Sequence, residues 1–563
     1  MGRATGVLVT CLGCAFAWLS VARAQGGRGG ADWTTSGGDA QRSSWVRTDA
    51  KISKESLQKP GFQLVWKLKL DNDPRQLSSL TQPVLLERYI GYRGFRSLAF
   101  VGGSADNVFA IDTDLGRIEW QNHFSSASAP QDGSLVCPGG MTANLTRPTV
   151  AAPPAAPAGR GGGGFGRGVP ARSGVGEAGQ GAVTLGQAGA ARAAPPAFAG
   201  APAVPGAPGP PGFPGGSGGS GRMPALVYAL SSDGMLHSMY VSNGADAEPP
   251  VRFLPANAHA LGLIVVDNVA YAATAQGCGG VANGVWALDL ATKQVNTWKP
   301  NGGGIAGSAG PAFGPDGILY VATGERERSL VALEPKTLKL RDWYAAGQDF
   351  TASPVVFVYK EKNLIAATTR DGRMHLLDGA ALGGPDHQAP LCKTPVISSA
   401  ADFVPGALAS WQDADGTRWV LAPTAGPVPS DAGFTLSSGN VTHGAIVAWK
   451  VAEQDGAPAL QPAWVSRDLV SPLSPTVING VVFAVSSGEL RTNDSQLTAA
   501  QRAERASRAV LYALDATTAK ELWSSGDTIT SFLHDGGLSG GGSQLYLGTY
   551  DGMLYAFGFP IEH

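Results

Sequence analysis

Residues 510–523 have the sequence VLYALDATTAKELW, and this stretch decides the fold. Apolar residues alternate with polar or small ones through 510–515, which is the period of a half-buried β-strand. A turn built around Asp515 follows, and a second short strand ends on Trp523. The stretch therefore predicts a β-hairpin whose second strand carries a large aromatic side chain.

The same hairpin recurs along the chain. Its closest copies are FAIDTDLGRIEW at 109–120, VWALDLATKQVNTW at 285–298 and LVALEPKTLKLRDW at 330–343. Looser copies lie at 374–379, 446–464 and 553–559. Repeats spaced by roughly 40–65 residues are typical of propellers and solenoids. The alternation of period two makes the repeated unit a hairpin of strands rather than a pair of helices.

A blade of four antiparallel strands, named A to D, fits residues 474–525. Six complete copies precede it along the chain, and the first of these begins at residue 81. The last copy, SQLYLGTYDGMLYAFGFP at 543–560, lacks strand D, whereas FQLVWKLKL at 62–70 has the tryptophan of a D strand with no strands A to C before it. The sequence therefore predicts an all-β fold, an eight-bladed β-propeller of four-stranded antiparallel blades. The N-terminal strand is expected to complete the C-terminal blade, which leaves no exposed strand edge.

The D-strand tryptophans are predicted to pack between neighbouring blades, where each buries a large apolar area. The turn between strands C and D needs Asp at its start and a residue with positive φ near its end. Gly116 fits the second position, whereas Lys293, Leu338 and Ala519 occupy it in other copies. The blade-packing tryptophans are Trp66, Trp120, Trp298, Trp343, Trp464 and Trp523.

The pattern A-[ILV]-D-x-x-x-G-x-x-x-W resembles the tryptophan-docking repeat of the PQQ-like β-propeller superfamily. That superfamily includes dehydrogenases that depend on pyrroloquinoline quinone (PQQ) and a non-enzymatic outer-membrane assembly lipoprotein. The resemblance covers about residues 60–560. It implies the fold, but not one function, because the repeat is a packing device.

Composition and targeting features limit the class of protein. The chain has 563 residues and a formal net charge of −2, which excludes a nucleic-acid binder with a basic face. Residues 1–24 are predicted to be a signal peptide that ends in Ala22-Arg23-Ala24, and lipid attachment at Cys14 is left open. A periplasmic or secreted monomer is expected, with no transmembrane span after signal cleavage.

Three segments depart from the blade pattern. Residues 25–60 form an N-terminal extension before the propeller at 61–560. Residues 151–222, within blade two, are almost entirely Gly, Ala and Pro and are predicted to be disordered, either as a tolerated insertion or as a tether. Insertions at 424–444 and 488–509 lie between strands B and C. The B–C and D–A connections emerge on one face of a propeller, called here the mouth, where function is expected.

Polar residues in the mouth connections are the candidate site. The candidates for cofactor or ligand binding are Arg75, Arg147, His259, Asp349, Asp402 and His534. Oxygen donors that could hold a divalent cation cluster at Glu489, Asn493 and Asp494. The resemblance implies PQQ and Ca²⁺ as cofactors if the protein is a dehydrogenase, with Arg or Lys on the quinone carboxylates and an Asp base.

The cysteines bear on both fold and function. Cys137 and Cys278 lie in mouth connections of neighbouring blades and are each flanked by glycine, so they are predicted to form a disulfide, and Cys392 is predicted to be a buried free thiol. There is no Cys-Cys pair and no C-x-x-C-H haem motif. Many alcohol-oxidising members of the superfamily carry an adjacent cysteine pair, so its absence disfavours an alcohol dehydrogenase.

Two functions remain open from the sequence. The first is an exported scaffold that binds a small molecule or a protein at the mouth. The second is a periplasmic dehydrogenase of alcohols or sugars that uses PQQ and Ca²⁺. The sequence does not identify the ligand, the substrate or the role of residues 151–222.

Overall fold

A computed structural model describes residues 32–91, 94–124, 133–151, 225–398, 400, 403–489, 491, 497–534 and 536–560. The predicted signal peptide and nearly all of the Gly/Ala/Pro-rich insertion lie outside these residues. The described strands form eight sheets, one for each predicted blade, so the eight-bladed β-propeller is confirmed. No described helix is long and apolar enough to cross a membrane.

The strands follow the predicted order A to D along the chain. Blade one contains Val84–Gly91, Gly94–Gly103, Asn107–Asp112 and Arg117–His123. Blade two contains Leu226–Leu230, Met235–Tyr240 and Val251–Arg252 as strands B to D. Blade three contains His259–Val266, Val269–Ala275, Gly284–Asp289 and Val295–Trp298. Blade four contains Ala312–Phe313 with Gly303–Ile305, then Leu319–Glu325, Ser329–Leu333 and Leu340–Ala345.

The second half of the ring repeats this arrangement. Blade five contains Val355–Tyr359, Lys362–Thr369, Arg373–Asp378 and Cys392–Lys393. Blade six contains Ala409–Gln412, Arg418–Pro423, Ile446–Gln454 and Ala457–Val465, with Thr435–Leu436 added parallel to strand D. Blade seven contains Thr476–Ile478, Val481–Ser486, Val510–Asp515 and Glu521–Ser524. Blade eight contains Ser539–Gly541, Gln544–Gly548 and Met553–Gly558, with Gln63–Lys69 as strand D.

Among the described residues, five short helices lie in the connections. Two are α-helices, Lys54–Leu57 and Ala499–Arg505, and each begins with a capping box, on Ser53 and Thr498 respectively. The second lies in the 488–509 insertion. The three single-turn 3₁₀ helices are Cys278–Gly280, Gly384–Asp386 and Ser430–Ala432.

The N-terminal strand pairs with the C-terminal blade. Gln63–Lys69 runs antiparallel to Met553–Gly558, with Gln63 opposite Gly558 and Lys69 opposite Met553. Strands B and C lie in the middle of the sheets that have four or five strands and are mostly buried, and some are wholly buried, as in Val481–Ser486. Strand D is the outer strand and is more exposed, as in Glu521–Ser524. The apolar cores therefore lie between blades rather than within one sheet.

Each D-strand tryptophan contacts the following blade. The indole of Trp66 donates a hydrogen bond of 2.7 Å to the carbonyl oxygen of Thr113, and a Cβ on Gly116 would lie 2.6 Å from the same ring. Trp120 donates in the same way to Val241 at 2.9 Å. Trp464 donates to the carbonyl oxygen of Ala516 at 3.1 Å. Trp523 packs edge-on against Phe62 and Phe557. Trp298 packs against the apolar cluster that contains Leu338, and Trp343 stacks on His387.

The turns that receive these tryptophans have positive φ where the sequence predicted it. Gly116 has a φ of 60°, and Lys293, Leu338 and Ala519 have φ values of 60°, 54° and 58°. Residues other than glycine are strained in this region, by about 1 kcal/mol each. Leu338 and Ala519 are buried, so packing against the neighbouring blade offsets the strain.

Strand A of blade two differs from the prediction. Within TRPTV, Thr146 bridges Tyr228 of the same blade, but Pro148–Thr149 pairs in parallel with Val265 and Val266 of blade three. Proline lacks the N–H that a strand inside a sheet must donate, so the chain leaves blade two at this point. Strand A of blade two is thus reduced to a single bridge.

The axial segment, residues 32–49, occupies the centre of the ring. Its backbone and side chains hydrogen-bond in turn to the innermost strand, or the residue beside it, of blades one to seven. The partners are Trp33 with Leu85, Thr34 with Arg147, Thr35 with Leu263, Ala40 with Phe313, Gln41 with Val356, Ser43 with Ser410 and Ser44 with Val477, at 2.8 to 3.0 Å. Trp45–Val46 then pairs in parallel with strand A of blade seven, and Asp49 accepts two hydrogen bonds from Ser543 of blade eight.

One buried arginine fixes the axial segment. Arg42 is 1 % exposed and donates to the carbonyl oxygens of Pro311 and Gly262, at 2.9 and 3.0 Å, and to the hydroxyl of Thr35 at 2.9 Å. Burial lowers the pKa of its guanidinium to about 9, although nearby Asp39 opposes the shift. Because a buried cation needs every donor satisfied, Arg42 holds the segment to blades three and four.

Candidate functional site

The B–C and D–A connections lie on the same face, as the strand order predicted. Asp349, in the D–A connection before blade five, forms ion pairs of 3.2 Å with Arg328 and 3.3 Å with Arg370. Those arginines belong to the B–C turns of blades four and five. The predicted disulfide joins Cys137, before blade two, to Cys278 in blade three, and is confirmed. Cys392 is a free cysteine and is partly rather than fully buried.

Three of the predicted cofactor-binding residues contact other segments of the propeller. Arg147 donates to Asp32 at 2.7 Å and to the carbonyl oxygen of Leu85 at 3.1 Å, so its guanidinium holds the start of the axial segment. The Nδ1 atom of His259 lies 2.9 Å from the carbonyl oxygen of Val136, beside the disulfide. The side chain of Arg75 lies against Gly140, where an added Cβ would be 2.8 Å from its Cδ. Arg75 and His259 thus contact the same loop, at residues 140 and 136, whereas Arg147 contacts the axial segment.

The residues predicted to bind a cation centre on Glu489. Its side chain is completely buried, with one carboxylate oxygen 2.7 Å from Nδ1 of His534 and 3.2 Å from Nε of Arg491. Arg502, on the α-helix of the same insertion, lies 3.8 Å from the other oxygen. Burial alone would raise the pKa of Glu489, but the hydrogen bond and charge of His534 and the charge of Arg491 hold it below its ordinary value.

This ion cluster bears on the predicted cation site. Oε2 of Glu489 is engaged by His534 and Arg491, whereas Oε1 has no hydrogen-bond partner among the described residues and lies 3.8 Å from Arg502. Asn493, Asp494 and Asp402 lie outside the described residues. In the part of the chain that the structure describes, no three His, Cys, Asp or Glu residues form a group that could hold a metal ion.

A cavity of about 280 Å³ opens on the mouth between blades six and seven. Both predicted insertions contribute to it, together with the D–A connections on either side. Its apolar wall contains Phe403, Val404, Pro405, Pro423, Val470 and Pro472, and its polar side chains are Thr424, His443, Ser471 and Arg491. Of these apolar residues, Phe403 is buried and Val404 is 49 % exposed.

Arg491 is held in place at the cavity wall. Its Nε donates to Glu489, and its Nη2 donates to the carbonyl oxygen of His534. Its backbone N–H also contacts the hydroxyl of Ser471 at 3.4 Å. Two of the five guanidinium N–H groups are thus used, and the side chain is 34 % exposed.

The imidazole of His443 is held by Asp468. Oδ2 of Asp468 lies 2.7 Å from Nδ1 of His443, and Oδ1 accepts the backbone N–H groups of Thr442 and His443 at 2.8 Å each. Burial opposes ionisation of this carboxyl, but the hydrogen bonds from His443 and Thr442 hold the pKa of Asp468 far below its ordinary value. No described residue hydrogen-bonds to Nε2, the other nitrogen of a ring that lines the cavity.

Sequence reasoning found one part of this site and missed another. Glu489 was singled out because it stands among oxygen donors of a mouth insertion, and Arg491 lies two positions after it. His443 and Asp468 were not, since they are 25 residues apart and neither belongs to a motif. The cavity itself depends on how two insertions and two connections fold together, which no local pattern records.

Comparisons with known proteins place the fold. No protein-family model matches the chain, and no curated protein matches it. Among solved structures, the quinohemoprotein alcohol dehydrogenase of Comamonas testosteroni is similar with a TM-score of 0.50 and 15% identity, over 95% of this chain and 81% of that one. A europium-containing methanol dehydrogenase has a TM-score of 0.49 and 10% identity, over 94% and 98% of the two chains.

BamB from Moraxella catarrhalis is also similar, with a TM-score of 0.43 and 11% identity, over 89% of this chain and 99% of that one. The similarity to the quinohemoprotein alcohol dehydrogenase confirms the propeller fold that the predicted resemblance implied. Identities this low describe the architecture and leave the function to be argued from the site.

Proposed function

We propose that this chain is an exported binding propeller that holds a small molecule in the mouth cavity of blades six and seven. The observation that carries the proposal is the cavity of about 280 Å³, whose apolar wall is combined with a few hydrogen-bonding side chains. That combination is typical of small-molecule sites, which bury the body of a ligand and orient it through a small number of polar groups.

The surroundings of the cavity support this function. Arg491 and His443 are held by the buried Glu489 and by Asp468, so neither needs to be ordered when a ligand arrives. A site whose groups are already fixed loses less conformational entropy on binding. The propeller then acts as a rigid support that carries a loop-built site.

Export of the protein is part of the proposal. The Cys137–Cys278 disulfide supports a periplasmic or secreted location, since such bonds persist in oxidising compartments. A protein partner at the mouth is compatible with the same scaffold, but the described mouth offers a cavity of small-molecule size rather than a contiguous apolar surface. We expect a monomer that does not bind nucleic acid.

A PQQ- and Ca²⁺-dependent dehydrogenase is the second candidate. One observation favours it: Arg491 presents unused guanidinium N–H groups to a cavity that could take a quinone carboxylate. Of the three predicted cation ligands, only Glu489 belongs to the described residues, and its Oε2 is held by Arg491 and His534. No reaction step is therefore assigned to PQQ or to Ca²⁺.

Ligand binding to mature protein from Gln25 onward tests both candidates. Thermal-shift and calorimetric measurements would use PQQ with and without Ca²⁺, and a panel of small acids, alcohols and sugars. Ala425→Trp, which fills the cavity, should abolish binding, whereas Ala500→Trp on the exposed side of the insertion helix should not. Saturable binding of PQQ that requires Ca²⁺ would favour the dehydrogenase. Binding that is unaffected by Ala425→Trp would place the ligand elsewhere and overturn the proposal.

A further inference from the structure

None of the described polar side chains that line the mouth cavity carries a negative charge. Arg491 can only donate hydrogen bonds, and Thr424 and Ser471 carry hydroxyl groups. Among the described lining residues there is no carboxylate. The nearby carboxylates, Glu489 and Asp468, stand behind the lining and hold it in place. The wall of the cavity therefore favours an anionic group over a cationic one.

Arg491 defines where that anionic group would bind. Its Nε and one N–H of Nη2 are used by Glu489 and by the carbonyl oxygen of His534, and no described residue accepts from the other three N–H groups, which lie in one plane. A fixed planar guanidinium matches the two oxygens of a carboxylate. Arg502, at 3.8 Å, adds a second positive charge beside Glu489, so that carboxylate does not neutralise the cluster.

His443 supplies a hydrogen-bond acceptor of a different kind. Because Asp468 accepts a hydrogen bond at Nδ1, the neutral imidazole carries its proton there. Nε2 is then a lone-pair acceptor, and no described residue hydrogen-bonds to it. An acceptor in this position recognises a ligand hydroxyl group.

We infer that the mouth cavity binds a small hydroxy carboxylate with an apolar body, its carboxylate on Arg491, its hydroxyl donating to Nε2 of His443 and its body against Phe403 and the prolines. This inference rests on the proposed function, because it names the ligand class of the same cavity. Arg491 and His443 belong to different connections, so a ligand must carry both polar groups to satisfy the two residues.

Three compounds of matched shape test the inference. 3-Phenyllactate has both polar groups, 3-phenylpropionate lacks the hydroxyl, and 3-phenylpropane-1,2-diol lacks the carboxylate. Calorimetry at pH 7.5 should give a Kd for 3-phenyllactate at least about tenfold below that of either analogue, since each lost hydrogen bond to a charged or fixed group weakens binding by about that factor.

Variants separate the two contacts. Arg491→Gln should remove the advantage of phenyllactate over the diol, and His443→Phe should remove its advantage over phenylpropionate. Asp468→Asn should weaken only the hydroxyl contact, because it loosens the ring without changing Arg491. Arg326→Gln, an exposed arginine in the B–C turn of blade four, is the matched control and should leave all three affinities unchanged.

The outcomes distinguish this inference from the function on which it rests. Equal affinity for the three compounds, lost in Ala425→Trp, would retain the cavity as a binding site but overturn the hydroxy-acid class. That class is overturned as well if none of the three compounds binds while another compound of the panel binds in the cavity. If no compound, including PQQ, binds in an Ala425-dependent way, the proposed function and this inference both fail.

Discussion

The backbone N–H of Val477 donates a hydrogen bond of 2.8 Å to the carbonyl oxygen of Ser44. This contact ties the inner strand of blade seven to a segment that has already contacted blades one to six. Each of these blades is thus connected to its sequence neighbours at the outside and to one common element at the centre. The axial segment acts as a hub, and its loss is expected to weaken every blade interface together.

Gly38→Ala should destabilise this hub. Gly38 has a φ of 85°, and an added Cβ would lie 3.2 Å from the ring of Trp33. Gly456→Ala is the matched control, since Gly456 has a φ of 79° with no atom within 4 Å of the added Cβ. Denaturant unfolding should show a larger loss for Gly38→Ala, by about 1–2 kcal/mol, because crowding adds to the backbone strain. Equal losses would show that the axial segment can shift freely.

Trp120→Leu should cost more stability than Trp343→Leu. Trp120 is 9 % exposed and donates to Val241 of the next blade, whereas Trp343 is 41 % exposed. The first change leaves a cavity and an unpaired carbonyl oxygen, which together cost about 3–5 kcal/mol, and the second removes mainly exposed surface. Urea midpoints of the two variants measure the difference. Similar midpoints would contradict a docking role for the indole N–H.

Removal of the Cys137–Cys278 disulfide should lower stability by about 2–4 kcal/mol. The two cysteines are 141 residues apart, so the bond restricts a long loop of the unfolded chain. The double variant Cys137→Ser/Cys278→Ser, and wild type in reducing buffer, should show the same lowered guanidinium midpoint. Cys392→Ser is the control and should respond to reductant as the wild type does. A midpoint that ignores reductant would mean that the bond does not form in solution.

His375 should make the protein less stable as the pH falls from about 6.5 to about 4. Its ring is fully buried between the hydroxyl groups of Tyr344, at 2.7 Å, and Thr369, at 3.2 Å, and burial lowers its pKa to about 4. Between these values the unfolded chain binds a proton that the folded chain excludes, so stability rises with pH across that window, by about 3 kcal/mol at most. Unfolding free energies of wild type and His375→Gln between pH 4 and 8 measure this slope, which the variant should lack.

Glu87 should contribute a slope of opposite sign. Burial, together with nearby Asp32 and Asp49, raises its pKa to about 7, although the backbone N–H of Gly542 opposes the shift. The folded chain binds the extra proton between about pH 4.5 and 7, so this contribution to stability is lost as the pH rises through 7. Glu87→Gln should therefore be more stable than wild type at pH 8. Its unfolding free energy should also rise more steeply with pH, because the opposing contribution of Glu87 is removed and that of His375 remains. A variant less stable at pH 8 would show that Glu87 is stabilising when ionised.

The blades could be predicted from the sequence because their patterns are local. Alternation of period two, an Asp at the C–D turn and a tryptophan a few residues later all lie within about 15 residues of one another. The disulfide could be predicted because the blade order places both cysteines on one face. Proline at 148 could have indicated that strand A of blade two would not remain in its own sheet.

The axial segment and the cavity could not be predicted in this way. Residues of the axial segment contact successive blades, so their spacing follows the circumference of the ring rather than a helix or strand period. Trp33 and Arg42 therefore stand among small polar residues in a stretch that is typical of a loop. The His443–Asp468 pair could not be predicted from a local pattern either, because its two members come together only when the connections fold over the mouth.

The pairing of Gln63 with Gly558 also limits when the ring can close during synthesis. The two residues are separated by 558 − 63 = 495 positions, so the strand made near the start of synthesis has no partner until the end. At about 5–20 residues per second, the ribosome needs roughly 25 to 100 s to supply it. During that interval the chain carries an unpaired strand and an uncovered hub. Closure of the ring is thus the last strand pairing that synthesis allows.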